Sequence, residues 1–436
     1  MKKNLIKKII TLTLLTQGIL MSANLSQLKI NNTDVPFIFE ENKNLPIVSM
    51  QVIFKNSGSL ADTQDGLAQL SASLLNEGTK KEGSTGFATK LENRAISLST
   101  HSGKETFVIE VGSLKEEFSY AIERLKELLT DPNYSEDTLS KIKTQTIASL
   151  KRRESDFDYI SSLELKKMIF KNTPLAKPSA GTVKSVEAIK LVDIDKYLGD
   201  HLGLGNVIVV MGGDISQKEA KDFAKSALSS LSSISSKAIP TMKALGKKQS
   251  KEKIVNSEQA YVYFGAPLNV PYDSKERHLA QVASFVLGSS GFGSRMMEEI
   301  RVKKGLAYSA YSRFNINKTH SYFSGYLQTK IETGKESVES VKEVVKKFLD
   351  KGISQEELTS AQQFILGSEP LRNETLSQRL SRAFNEYYHN KPLGSSLENL
   401  KKIEAIKLEE INAFIKKHQE IAELSFSVVT GQKKAQ

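Results

Sequence analysis

The chain has 436 residues, a formal net charge of +11, 39% hydrophobic and 25% charged residues, and no cysteine. This length predicts two or three domains, and the composition is that of a globular protein. The lack of cysteine excludes a thiol nucleophile, a disulfide frame and a thiolate metal site. Lysines alternate with acids, as at 335–336 and 342–343, and no basic stripe with interleaved aromatic residues indicates nucleic-acid binding.

The N-terminus has the pattern of an export signal. Four lysines precede an apolar run at 9–23, and Ala23 is a suitable cleavage point. An uncleaved anchor is the alternative, but the run is shorter than the about 20 residues of a spanning helix. We predict that residues 1–23 are a signal peptide and that the protein is periplasmic or secreted, with no membrane attachment after cleavage.

The mature sequence contains an internal repeat. The letters EAIKL at 187–191 recur at 404–408, and LAQ at 67–69 recurs at 279–281. Several matches in the same order at nearly constant offset indicate that one unit has been duplicated.

Hydrophobic periodicity predicts the same series of elements in each half. In chain order the first half has a strand at 48–54, a helix at 65–75, a strand at 107–111, a helix at 118–129 and a strand at 207–212. The second half has a strand at 260–264, a helix at 279–287, strands around Tyr308 and at 322–327, a helix at 338–348 and a strand at 425–431. We predict an α+β protein of two homologous domains, each a mixed or antiparallel sheet covered by helices.

The segment 229–253 is rich in Ser and Lys and contains Pro240 and Gly246. This composition is typical of a flexible linker. We therefore predict a first domain at 24–228, a linker at 229–253 and a second domain at 254–436. Two similar lobes joined in this way commonly form a clamp.

The sequence shows no self-sufficient catalytic constellation. The six histidines are too far apart for any two to form a metal pair on one helical face, and there is no P-loop. They are His101, His201, His278, His320, His389 and His418.

One turn in the second half combines two polar side chains that could bind a peptide. A glycine-rich loop at 288–293 precedes a predicted helix at 294–304, which Gly305 would end in a left-handed conformation. Arg301 lies in the last helical turn and Tyr308 opens the next strand, so both could hydrogen-bond the carbonyls of one extended peptide. The alternative is that Arg301 complements the helix dipole while Tyr308 packs in the core.

The segment 293–309 resembles the second-domain signature of the pitrilysin/insulysin-type zinc peptidases, which include bacterial two-domain members and the mitochondrial processing peptidase. The likeness extends over nearly the whole mature chain and implies duplicated domains that form half of a clamshell. In that family the Arg and Tyr that match Arg301 and Tyr308 hold the substrate backbone.

The first half departs from this family pattern. After Gly66-Leu67-Ala68, the positions of the family's His-x-x-Glu-His zinc motif are occupied by Gln69, Ala72 and Ser73. The position of its third ligand, a Glu, corresponds to Ser149. The resemblance thus implies that this chain binds no metal and has no catalytic residue, and that zinc is bound by a partner chain.

These observations predict a non-catalytic, substrate-binding subunit of a heterodimeric periplasmic zinc metallopeptidase. Its partners would be a zinc-bearing homologous peptidase subunit and peptide substrates, which Arg301 and Tyr308 would position. The alternative is a structural or holdase-like peptide-binding protein of the same fold with no role in proteolysis, comparable to the core proteins of the respiratory cytochrome complex.

Overall fold

The computed structural model describes residues 23–432 and has an α+β architecture with two sheets, each covered by helices. This architecture confirms the predicted fold class. The predicted signal peptide lies outside the described residues except for Ala23. In the part of the chain that is described, no helix has both the length and the apolar character needed to cross a membrane.

The first half forms a sheet in the strand order β1-β2-β6-β3-β5-β4, in which β2 and β6 are parallel and the other neighbours antiparallel. Its strands are β1 (Asn24–Ile30), β2 (Thr33–Glu41), β3 (Ile47–Lys55), β4 (Ser97–Ser102), β5 (Thr106–Leu114) and β6 (Val207–Gly213). Its helices are α1 (Leu67–Leu75), α2 (Gly83–Glu92), α3 (Phe118–Thr130), α4 (Glu136–Arg153), α5 (Phe157–Ile169), α6 (Val183–Ala188), α7 (Leu191–His201) and α8 (Gln217–Leu228).

The second half forms a sheet in the order β10-β11-β9-β12-β8, and β7 pairs with β11. Its strands are β7 (Met242–Lys243), β8 (Ser250–Ile254), β9 (Gln259–Pro267), β10 (Ala307–Ile316), β11 (His320–Lys330) and β12 (Ser425–Thr430). Its helices are α9 (Arg277–Ser284), α10 (Gly334–Lys351), α11 (Gln355–Gly367), α12 (Leu376–Tyr388), α13 (Ser395–Glu404) and α14 (Leu408–Lys417), with π-helical segments at Phe285–Ser289 and Met297–Lys303.

The topology shows the duplication that the sequence repeat predicts. The order β2-β6-β3-β5-β4 in the first sheet corresponds to β8-β12-β9-β11-β10 in the second. The parallel pair also recurs, because β8 runs parallel to β12 as β2 does to β6. The predicted linker segment 229–253 contributes the short strand β7 and most of β8, so it is built into the second sheet.

The strand β3 shows why the alternating pattern forms a sheet with a helix-covered face. Val48, Met50, Val52 and Phe54 are all at most 1% exposed and belong to the core of the first half. A strand with such a period of two buries one set of side chains against the helices, which the hydrophobic effect favours.

Each half covers the other half's sheet with one helix. Helix α5 of the first half packs on β9 and β12, and helix α12 of the second half packs on β2 and β6. Ser161 in α5 donates a buried hydrogen bond to the carbonyl of Ser427 in β12, at 2.9 Å. A Cβ on Gly212 in β6 would lie 3.0 Å from a methyl group of Leu380 in α12, so glycine allows the close approach of that helix.

A buried ion pair ties α12 to the first sheet. Arg379 Nε donates to Glu40 Oε1 at 2.7 Å, and the Glu40 residue is 2% exposed. Burial raises the pKa of Glu40, while the hydrogen bond and charge of Arg379 oppose that rise. A carboxylate in this position depends on its partner, because an unpaired buried charge is costly.

We expect Arg379→Met to destabilise the protein by on the order of 3 kcal/mol at neutral pH, because Glu40 would be left buried without its cation. The loss should be smaller at pH 5, since removing Arg379 raises the Glu40 pKa further and the folded state then takes up a proton as pH falls. Thermal melting at both pH values measures the effect.

The matched control is Lys196→Met, which breaks an exposed pair with Asp200 and should cost about 0–1 kcal/mol. Equal melting temperatures for the Arg379→Met and Lys196→Met variants would show that the Glu40–Arg379 pair does not hold the two halves together.

Candidate functional site

Helix α1 carries the positions at which the family has its first zinc ligands. It begins after Gly66, whose φ is 94°, and the Asp62 carboxylate accepts hydrogen bonds from the N–H groups of Gly66 at 3.2 Å and Ala68 at 2.8 Å. These bonds satisfy donors that a helix N-terminus leaves unpaired. Gln69 and Ser73 follow one turn apart and are half-buried. They therefore lie on the same helical face.

Ala72 lies among the buried residues of α1. It is 1% exposed, and its carbonyl accepts a 2.5 Å hydrogen bond from the Thr100 hydroxyl of β4. At this position the family has its catalytic Glu, and a methyl group has no proton-transfer chemistry.

Helix α4 packs against α1 and brings Ser149 to the same place. Gln69, Ser73 and Ser149 line one cavity of about 390 Å³. Three of the four degenerate zinc-site positions are therefore neighbours in space, although they lie far apart in the sequence. Ala72 is not part of the cavity lining.

The donor set in this cavity does not fit zinc. Gln69 offers a neutral amide and the two serines offer hydroxyls, whereas protein zinc sites use imidazole, thiolate and carboxylate ligands. Within residues 23–432, no three or more His, Cys, Asp or Glu side chains are grouped so that they could hold a metal ion.

A carboxyl near this helix does not replace the missing base. Burial raises the pKa of Asp62 to about 7, although hydrogen bonds from Ala68 and Gly66 lower it. Each oxygen accepts one of those two helix N–H groups, and Asp62 is not part of the cavity lining. Its geometry is that of a helix cap.

Four cationic side chains line the cavity: Lys104, Arg153, Lys166 and Lys177. Burial, followed by the charges of Lys166 and Arg313, lowers the pKa of Lys104 to about 8. The Lys104 side chain still reaches solvent, and its ammonium group is charged at neutral pH. No sequence signal predicts this cluster, because the four residues come from separate segments without a common motif.

Arg301 lies in the π-helical segment Met297–Lys303, within the predicted helix at 294–304. Gly305 ends the turn with φ of 62°, and the N–H groups of Gly305 and Leu306 donate to the carbonyls of Arg301 and Ile300 at 3.1 and 2.9 Å. This is the left-handed stop that the sequence predicts. The Arg301 guanidinium lies 4.8 Å from the centre of the exposed Phe292 ring.

Tyr308 follows at a β-bulge between β10 and β11. Ala307 pairs with Thr329 and Ala310 with Leu327, so two residues of β10 face one of β11. Such a bulge changes the direction of a side chain, and the Tyr308 residue is 87% exposed. The alternative that Tyr308 packs in the core is therefore wrong.

The turn presents two hydrogen-bond donors at the surface, a guanidinium on one side of Gly305 and a phenol on the other. An exposed aromatic residue held by a bulge contributes little to the core, so its position there suits binding better than stability. Neither Arg301 nor Tyr308 lines the cavity formed around Gln69. The structure thus contains two separate candidate sites.

Both halves of the chain match models of known protein families. Residues 37–183 match the family described as insulinase (peptidase family M16), and residues 188–365 match the peptidase M16 inactive domain. A Helicobacter pylori protein described as the non-peptidase homolog YmxG is 44% identical over 429 residues, which cover 98% of this chain and 99% of that protein.

Solved structures have the same fold. A peptidase M16 inactive domain from Pseudomonas fluorescens superposes with a TM-score of 0.87 at 23% identity and covers 95% of this chain and 99% of its own. A protease from Helicobacter pylori gives 0.81 at 16% identity, with 94% and 100% covered. A chain of complex III2 from Candida albicans gives 0.75 at 17% identity, with 94% and 95% covered. The chain therefore belongs to peptidase family M16, which confirms the resemblance seen in its sequence.

Proposed function

We propose that this protein is the non-catalytic subunit of a two-chain zinc peptidase outside the cytoplasm, and that it positions peptides for the zinc centre of a homologous partner. One contrast carries the proposal. The turn around Gly305 carries the half-buried Arg301 and the exposed Tyr308, whereas the helix that would bind zinc carries Gln69, Ala72 and Ser73.

The proposed role is orientation. The Arg301 guanidinium and the Tyr308 hydroxyl can each donate to a carbonyl of an extended peptide, and the bond from the guanidinium is charge-assisted. A peptide held in line with a partner's zinc-bound water reacts with a lower barrier, because binding has already removed the rotational and translational freedom that the reaction would otherwise have to overcome.

The comparisons support a division of labour between homologous chains. The Helicobacter pylori relative with 44% identity is described as a non-peptidase homolog, and a protease from the same species shares the fold with a TM-score of 0.81. One species thus has both kinds of chain. Export to the periplasm or beyond rests on the pattern of the N-terminal segment.

The second candidate is a structural subunit with no role in proteolysis. The similarity to a chain of complex III2 favours it, because that relative belongs to a multi-subunit assembly that is not named a peptidase. A structural subunit has no use for an exposed Tyr308 beside the Arg301 guanidinium, so substitutions there separate the two candidates.

The purified chain should contain no stoichiometric zinc, because the amide of Gln69 and the hydroxyls of Ser73 and Ser149 are not among the imidazole, thiolate and carboxylate ligands that protein zinc sites use. Elemental analysis after gel filtration measures this. The positive control is Gln69→His with Ser73→His, which places two imidazoles one helical turn apart and should bind added zinc measurably. About one tightly held zinc per wild-type chain would overturn the proposal that zinc belongs to the partner.

Peptidase activity should appear when the chain is mixed with a zinc-bearing homologue from the same cell, and it should saturate at a one-to-one ratio. Each chain supplies what the other lacks, so neither should be active alone. Cleavage of a fluorogenic peptide is followed as the ratio is varied. A homologue that is equally active with and without this chain would refute the subunit role.

Arg301→Ala should lower kcat/KM of the complex about ten- to a hundredfold, because it removes a charge-assisted bond to the substrate worth about 1.5–3 kcal/mol. Tyr308→Phe should lower kcat/KM about two- to tenfold, because it removes a neutral bond worth about 0.5–1.5 kcal/mol. Complex formation and melting temperature should not change. The control is Tyr326→Phe, which alters a partly exposed tyrosine of β11 in the same sheet. Normal kcat/KM with a lowered melting temperature would mean that the turn has a structural role.

A further inference from the structure

The cavity at the degenerate zinc site has an unbalanced charge. Its lining includes Lys104, Arg153, Lys166 and Lys177 and no aspartate or glutamate. In the family pattern this place is built around a cation bound by carboxylate and imidazole. Here the surrounding side chains repel a cation and would attract an anion.

Most of this charge is not neutralised locally. Lys177 forms an ion pair with Asp65 at 2.8 Å. Among the ion pairs of the described residues, none involves Lys104, Arg153 or Lys166, and the Arg153 guanidinium lies over the Tyr159 ring at 5.4 Å. Three cations therefore share the cavity without a carboxylate partner from residues 23–432.

The acids near Lys104 and Lys166 in the sequence already have other partners. Glu105 accepts a hydrogen bond from Tyr388 at 2.7 Å and another from Thr319, which joins the two halves. Glu164 pairs with Lys167 at 2.6 Å and with Lys251 at 2.5 Å. Moving either carboxylate into the cavity would break these bonds, so neither serves as the counter-ion of the cavity.

The cations also act on one another. Burial is the main cause that lowers the pKa of Lys104 and of Lys166. The charges of Lys166 and Arg313 lower the pKa of Lys104 further, against the charge of Glu105, and the Arg313 charge lowers the pKa of Lys166 further. Repulsion of this kind destabilises the folded chain and is relieved when an anion binds among the cations. Neutral donors complete the lining, including the Gln69 amide and the hydroxyls of Ser73 and Ser149.

From this geometry we propose that the degenerate zinc site is a carboxylate-binding pocket that selects acidic peptides. The carboxylate would belong either to an Asp or Glu side chain or to the peptide's C-terminus. A cavity of about 390 Å³ has the size of a small-ligand site. This proposal gives the subunit a substrate class, acidic peptides. It rests on the proposed function, because that function is the reason to expect a peptide ligand.

The position of Arg313 connects the pocket with the exposed turn. Arg313 lies on β10, five residues beyond Tyr308. At about 3.3 Å per residue the two backbone positions are at most about 17 Å apart, which about five residues of extended peptide can span. A peptide held at Tyr308 can therefore place an acidic residue among the cations.

The test uses the full mature chain and neutral peptides of about ten residues, each with a single Glu moved along its length. Every peptide is paired with its Gln version and is made with a free and with an amidated C-terminus. Isothermal titration should show one of two preferences. Either a Glu peptide binds at least about tenfold more tightly than its Gln version, or a peptide with a free C-terminus binds at least about tenfold more tightly than its amidated version. The arm that shows the preference identifies the source of the carboxylate.

Lys104→Gln combined with Lys166→Gln should abolish this preference and leave the melting temperature unchanged or higher, because it removes like-charge repulsion. The control is Lys196→Gln combined with Lys342→Gln, which removes the same charge from exposed pairs with Asp200 and Glu339 and should keep the preference. Arg301→Ala should lower the affinity for acidic and for neutral peptides by the same factor.

Two results would overturn the proposed carboxylate pocket. One is equal affinity for acidic and neutral peptides at about 0.15 M salt, and the other is no binding of any acidic peptide up to about 1 mM. If Arg301→Ala still lowers the activity of the complex in that case, the proposed function stands without the pocket. If the preference is found but the chain gives no activity with a zinc-bearing homologue, the pocket stands and the peptidase role fails.

Discussion

The exchange of helices α5 and α12 between the two halves is the constraint on which the rest of the structure depends. Each helix covers a sheet face that belongs to the other half, and the buried Glu40–Arg379 pair fixes α12 in place. A duplicated unit could otherwise separate into two independent domains. Because the exchange is reciprocal, the cavity beside α1 and the turn around Gly305 keep a fixed relation, as a binding surface requires.

The sequence predicted the elements with strong periodicity and missed those that depend on partners. Strand β3 alternates from Val48 to Val52, and the buried set of side chains in this stretch is visible without a structure. The exchange of α5 could not be seen, because an amphipathic helix does not show which sheet it will cover. The segment 229–253 has the composition of a linker, yet β7 and β8 in it pair with β11 and β12, since backbone hydrogen bonding needs no hydrophobic pattern.

The candidate sites were predictable to different degrees. Arg301, Gly305 and Tyr308 are contiguous, so a short motif and the left-handed preference of glycine located the turn. Tyr308 remained ambiguous, because a bulge depends on the register with β11 and not on the residue itself. Ser149 was found through the family resemblance alone. Lys104 and Lys166 come from a hairpin and a helix, and nothing in the sequence shows that they meet.

The charge of the cavity at the degenerate zinc site indicates how the chain has diverged within its family. Loss of zinc ligands by drift alone would leave a neutral cavity, which hydrophobic residues could then fill to the gain of stability. The cavity instead contains four cations whose mutual repulsion costs stability, and of these only Lys177 has an ion-pair partner among the described residues. Proteins retain destabilising groups mainly where those groups bind a ligand. The charge of this cavity is therefore better explained by binding of an anion than by drift after the zinc ligands were lost.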